Sequence, residues 1–161
     1  MEILNKYPEF ENIFNNVKTI KLIATQNYLG QINVDFRKHL YINSLGKIVL
    51  LEGAEYSTLN CNLVNSLWFN KNAAISIISD TRQSFEIQVK VERTIVSGKE
   101  FKNACEWLAD EYEQFDLSSI WIFVPLEIRD TSNLIQLLCE RDRNPMIAHL
   151  DRIARKEIIF E

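Results

Sequence analysis

Arg37 and His39 stand two residues apart in INVDFRKHLYIN, where polar and apolar side chains alternate. That spacing puts both on one face of an extended strand. A guanidinium there offers paired N–H donors to a phosphate, and the neighbouring imidazole can add a hydrogen bond. The competing reading is a solvated strand face, which the same alternation would produce. Further on, Ser57 and Thr58 open a helical pattern in AEYSTLNCNLVNSLWFNKN. A helix N-terminus exposes unpaired backbone N–H groups and the positive end of the helix dipole, so it seats anions. Capping the helix and holding a phosphate are compatible roles for Ser57. Asn60 and Asn62 add side-chain amides in the first turns, where asparagine is a poor helix former. The chemistry open to this set is anion binding.

Residues 46–91 must position that helix mouth, in the order strand, helix, strand, strand. GKIVLLEG is a short apolar strand that stops at Gly53. The helix carries a stripe of Leu59, Leu63, Leu67 and Trp68, widened by Cys61 and Val64, and stops among the asparagines. AAISIISD reads as a buried strand. In SFEIQVKV, Phe85, Ile87, Val89 and Val91 face one way, and Ser84, Glu86, Gln88 and Lys90 the other, the pattern of an antiparallel sheet with one wet face.

Upstream, PEFENIFNNV spaces Phe10, Ile13, Phe14 and Val17 for a short helix with Pro8 in its first turn. TIKLIATQ reads as a strand, and NYLGQ as a turn in which Gly30 supplies positive φ. INVDFRKHLYIN reads as one strand. Ile32, Val34, Phe36, Leu40 and Ile42 share a face, broken by Lys38, and Asn33, Asp35, Arg37, His39 and Tyr41 share the other. Downstream, Ser97 and Glu100 fit a capping box ahead of Phe101, Cys105, Leu108 and Tyr112. SSIWIFVPLEI is apolar on both faces, so it should be covered on both sides, and Pro125 should end it. SNLIQLLCERDR and NPMIAHLDRIARKEI read as two helices.

Six strands of this kind with helices at the edges predict an antiparallel β-barrel with packing helices, α+β in class and mainly β. One domain covers 1–161, with its core at 18–130 and a helical extension at 131–161. An open α/β sheet would need helices between strands throughout, whereas residues 18–52 run strand, strand, strand.

The bulk numbers exclude several classes. At 161 residues, 47% hydrophobic and 25% charged, the chain is an ordinary soluble domain. A net charge of -4 leaves no basic stripe for nucleic acid. No apolar stretch approaches the ~20 residues of a membrane span, and the acidic N-terminus lacks a signal peptide's apolar run. Cys61, Cys105 and Cys139 are odd in number and widely spaced, so they read as core-filling thiols in a reducing compartment, the cytoplasm. His39 and His149 are too far apart in sequence to signal a metal site. There is no G-x-S-x-G and no Rossmann glycine pattern.

The order of these segments resembles the pyridoxamine 5'-phosphate oxidase-like, FMN-binding split-barrel family. LIATQNYLGQINV looks like the family's opening strand and turn, and VDFRKHLYINSLGKIVLLEG like its arginine-bearing strand and hairpin. STLNCNLVNSLWFNKNAAISII is similar to the helix and strand that meet the flavin phosphate. IQVKVERTIVSGKEF resembles the glutamine strand, and SSIWIFVPLEIRD the closing one. The resemblance covers roughly residues 18 to 130. It implies FMN as cofactor, a homodimer with flavin at the subunit interface, and a cofactor-binding set of Arg37, Lys38, His39, Ser57, Thr58, Asn62 and Gln88. The implied function is an FMN-dependent oxidoreductase acting on a small molecule, with no catalytic residue assigned. Two departures count against B6 chemistry: Ile42 stands where the oxidases carry a lysine, and their arginine–lysine pair at the helix start is missing. The alternative is a non-catalytic split-barrel protein that carries flavin or haem, or has lost its cofactor.

Overall fold

Alternation and turn chemistry build the chain into α1 (Phe10–Asn15), β1 (Ile20–Gln26), β2 (Ile32–Phe36), β3 (Leu40–Ile42), β4 (Ile48–Glu52), α2 (Thr58–Trp68), β5 (Asn72–Ile78), β6 (Ser84–Ile95), α3 (Lys99–Glu111) and β7 (Ser119–Asp130). The computed structural model describes residues 7–111 and 116–132 and the single positions 138, 139, 142, 143 and 146. The two helices expected within 131–161 lie outside the described residues, apart from those isolated positions, and so does Tyr112.

The strands form one seven-stranded antiparallel sheet in the order β2-β1-β5-β6-β7-β4-β3. INVDFRKHLYIN is therefore two strands, and the expected single strand is corrected. β2 pairs with β1 at one end of the sheet and β3 with β4 at the other. Residues 37–39 are the chain crossing between those ends. Arg37 N–H reaches back to the Lys21 carbonyl of β1 at 3.0 Å, and the His39 carbonyl accepts from Leu51 N–H of β4 at 2.9 Å. The crossing links the two edge strands, β2 and β3, so a continuous strand does not run through it.

The crossing also reverses which side is wet. Leu40 and Ile42 are buried, while Ile32, Val34 and Phe36 are 72%, 62% and 58% exposed. The alternation within β2 is read correctly, but its apolar side faces out of the barrel.

The main core fills the curl. Ile23, Ile75, Ile77, Phe85, Ile87, Val89, Trp121 and Phe123 point in, and Phe10 and Phe14 of α1 and Leu59 and Leu63 of α2 plug it. Each such side chain contributes about 1.5–3 kcal/mol on burial. A second cluster packs Val49, Leu51, Ile120 and Ile122 against Leu108 of α3. β7 is thus covered on both faces within one chain. Pro125 does not end it. It sits opposite Val89 at a register shift between Gln88 and Val89, an irregularity that tolerates a residue without an N–H.

Other expectations change locally. α2 ends as expected, with Asn70 at φ 53° and Lys71 N–H bonded to the Ser66 carbonyl at 2.9 Å, a Schellman turn. Its buried face, however, is Leu59, Asn60, Asn62, Leu63 and Ser66, while Trp68, Cys61 and Val64 are exposed. Cys61 and Cys139 are exposed and Cys105 half-buried, so none is a core-filling thiol. Val17 is exposed. In place of a Ser97–Glu100 capping box, Gly98 (φ 95°) leads into α3, Lys102 N–H bonds its carbonyl at 3.0 Å, and Glu100 pairs with Arg93 at 3.7 Å.

Candidate functional site

Ser57, with extended backbone (φ -64°, ψ 148°), caps α2, its Oγ accepting from Asn60 N–H at 3.0 Å. The helix N-terminus faces the end of β4, where Glu52 closes an all-buried strand. The chain crossing at residues 37–39 passes the same point, held there by Leu51 N–H on the His39 carbonyl. Arg37, His39, Glu52, Ala54, Ser57 and Asp116 consequently line one cavity of about 500 Å³. Three of the residues singled out from sequence, far apart in the chain, are brought together here.

The charges in this cavity are more balanced than the sequence implies. Arg37 Nε donates to Glu52 Oε2 at 3.1 Å and Nη1 to the Phe36 carbonyl at 2.9 Å, with Nη2 3.6 Å from Asp35 Oδ1. Glu52 is buried, and its other oxygen accepts from Ala54 N–H at 3.0 Å. Asp116 adds a second carboxylate to the lining. Sequence reasoning missed both acids. The available signal was an acidic residue placed directly before Gly53, at the end of an otherwise apolar strand.

The other sequence candidates lie elsewhere. Lys38 lines a separate cavity with Lys21, Tyr41 and Trp107. Thr58 is exposed in the first turn of α2. Asn62 is buried inside the curl, its Nδ2 donating to Thr25 Oγ1 at 3.1 Å and Asn33 Oδ1 at 3.2 Å. Asn60 is likewise committed: its Oδ1 accepts from Trp121 Nε1 at 2.8 Å and Ser119 Oγ at 3.2 Å, and its Nδ2 donates to the Glu55 carbonyl at 2.7 Å. These amides join α2 to β1 and β7. Gln88 lies on the outer face of β6, and its Nε2 donates to Glu86 Oε1 at 2.9 Å.

That outer face is largely apolar. Val34 of β2, Leu22 and Ala24 of β1, and Ala74 of β5 surround a shallow cavity of about 370 Å³ whose rim includes Glu86. Among the described residues, no cluster of three or more His, Cys, Asp or Glu could hold a metal ion. No helix among them is long and apolar enough to cross a membrane.

The cavity at the mouth of α2 is lined by Ser57, the cap of that helix, with Arg37 and His39. A flavin phosphate at the mouth of α2 would be met by these three residues. Glu52 and Asp116 reduce the anion's gain, so a single cation serves it.

The sequence matches no family model and no curated protein. Solved structures share the fold. HupZ of Group A Streptococcus superposes with a TM-score of 0.65 at 15% identity, over 79% of this chain and 94% of that one. An FMN-binding protein from Syntrophomonas wolfei subsp. wolfei gives 0.61 at 18% identity, over 81% and 87%. HutZ, the haem storage protein of Vibrio cholerae, gives 0.57 at 15% identity, over 79% and 96%.

Proposed function

This chain has the split-barrel fold of the pyridoxamine 5'-phosphate oxidase-like, FMN-binding proteins, and we propose that it is an FMN-binding flavoprotein with the phosphate seated at the mouth of α2. The observation that carries this reading is the convergence of Arg37, His39 and Ser57 on one cavity beside a helix N-terminus. Arg37 and Ser57 would hold the phosphate, and His39 would hydrogen-bond the phosphate or the flavin edge. Bound FMN would supply electron or hydride transfer to a small-molecule substrate, making the chain an FMN-dependent oxidoreductase. The protein's own part is binding, orientation and exclusion of water.

The same reading includes a homodimer. Ile32, Val34 and Phe36 leave an apolar strand face exposed, which a second copy would cover, with the flavin at the subunit interface. The cytoplasm is the expected compartment on composition.

A second reading is a non-catalytic carrier of haem or flavin. The pairing of Arg37 with Glu52 supports it, as does the likeness to HutZ, a haem storage protein. One visible spectrum of the purified chain, followed by titration with FMN, separates a flavin site from a haem site or an empty one. Flavin absorbance or saturable FMN uptake is the expected result. A Soret band, or a colourless chain that rejects FMN, overturns it.

A further inference from the structure

Lys21 is a buried lysine with no acid beside it among the described residues. It shares the inward face of β1 with Ile23 and Thr25 and is 5% exposed. Its Nζ donates to the Leu40 carbonyl at 2.9 Å and sits 5.6 Å from the centroid of the Phe14 ring. Burial lowers the Lys21 pKa below the ordinary 10.5, because the charged form has lost its water. A buried ammonium is costly unless paired, and buried charges are normally matched by a counter-ion.

The amine lines a cavity of about 370 Å³ bounded by α1, the crossing at 37–39, β3 and α3. That volume is in the range of small-ligand sites. Phe36, Leu40 and Trp107 give it apolar walls. Its ionisable lining groups are Lys21, Lys38, His39 and Tyr41, with no Asp or Glu among the described residues. Tyr41 is pushed up by burial, so its phenol remains a proton donor. Asn15 and Thr19 also line the cavity, but both are spent on backbone. Asn15 bonds both polar groups of Ile42, and Thr19 Oγ1 donates to the Ile13 carbonyl at 2.7 Å.

We propose that this cavity binds a small monocarboxylate with a flat apolar body, its carboxylate on Lys21 Nζ and its body against Phe36 and Trp107. A monoanion supplies the counter-charge that the described residues omit. Among the described residues, His39 alone lines both this cavity and the one at the mouth of α2. The proposal does not rest on the flavin reading, and its test contains no flavin.

The purified full chain is titrated calorimetrically with benzoate, naphthalene-2-carboxylate and indole-3-acetate, each against its own neutral amide. At least one acid should bind tenfold or more tighter than its amide. Lys21→Met, which keeps length and apolarity, should erase that preference while a thermal melt shows it folded. In the unsubstituted chain, the Trp107 indole N–H resonance should move when that acid is added. The proposal is overturned if every acid binds no better than its amide, if the preference survives Lys21→Met, or if the Trp107 resonance stays still.

Discussion

Arg37 Nε lies 3.1 Å from Glu52 Oε2, joining the chain crossing at 37–39 to the end of β4. The Glu52 side chain is almost fully buried, while a quarter of the Arg37 side chain meets solvent. The guanidinium that a phosphate would use is therefore already held by a carboxylate, and any affinity for FMN would depend on how far Arg37 can serve both.

Removing either partner gives opposite results. A charge-assisted hydrogen bond is worth about 1.5–3 kcal/mol, so Arg37→Ala should weaken FMN binding by roughly one to two decades. Riboflavin, which has no phosphate, should be unaffected. Glu52→Gln should tighten FMN relative to riboflavin, because the arginine loses its competing anion. Fluorescence titrations of the three proteins with both flavins decide it. Equal losses for FMN and riboflavin in Arg37→Ala would make Arg37 purely structural.

Asn60 holds the indole of Trp121 at 2.8 Å in the core. Asn60→Ala leaves a buried N–H unpaired, which costs about 1–3 kcal/mol beyond the lost packing. Adding Trp121→Phe removes that orphan donor, so the double variant should lose less than the sum of the singles. Urea unfolding of all four proteins measures the coupling. Strict additivity would mean the hydrogen bond contributes nothing.

The exposed face of β2 should be the dimer contact. Light scattering at micromolar concentration should return about twice 18.9 kDa. Val34→Lys, at a side chain 62% exposed in the single chain, should give a folded monomer. A wild type that remains monomeric while holding FMN would remove the shared-interface reading.

Stability should rise with pH through Lys21. Below its lowered folded pKa both states carry the proton, and the full cost of burying the ammonium is present. As pH climbs from there toward 10.5, the folded amine gives up its proton first. The unfolded state then binds more protons, so unfolding becomes harder. Lys21→Met should be more stable than wild type near neutral pH, with the gap narrowing toward pH 10.5. A gap that stays constant with pH would show that Lys21 keeps an ordinary pKa.

Neither pyridoxine 5'-phosphate nor pyridoxamine 5'-phosphate should be oxidised. Ile42, at the place of the oxidases' lysine, is a core side chain paired with Ile48 across the β3–β4 hairpin. Ile42→Lys should not install the activity either, since it would bury an unpaired charge. Formation of pyridoxal 5'-phosphate above the free-flavin background would refute this.

The sequence by itself determined the parts that depend on local period and turn chemistry. Phe85, Ile87, Val89 and Val91 alternate because a strand has a period of two, and they are buried as read. Ser57 starts α2 because a β-region serine can bond the N–H three residues on, and Asn70 ends it because asparagine tolerates positive φ. Ser57, Arg37 and His39 were also legible as a set, since each type offers a donor suited to an anion. Only the tertiary structure decided what surrounds them. Alternation cannot say which side of β2 faces the core, because an apolar face packs equally well on a partner. Nor can it show that residues 37–39 bridge opposite ends of the sheet, a contact set by how far the sheet curls. Asn60 and Asn62 looked like ligand donors because their types suit that work. Folding gave their amides to Trp121, Thr25 and Asn33, since a buried amide left unpaired costs more than one facing water. Glu52 and Lys21 hold the two consequential charges, one paired with Arg37 and one without an acid among the described residues, and pairing depends on neighbours distant in sequence.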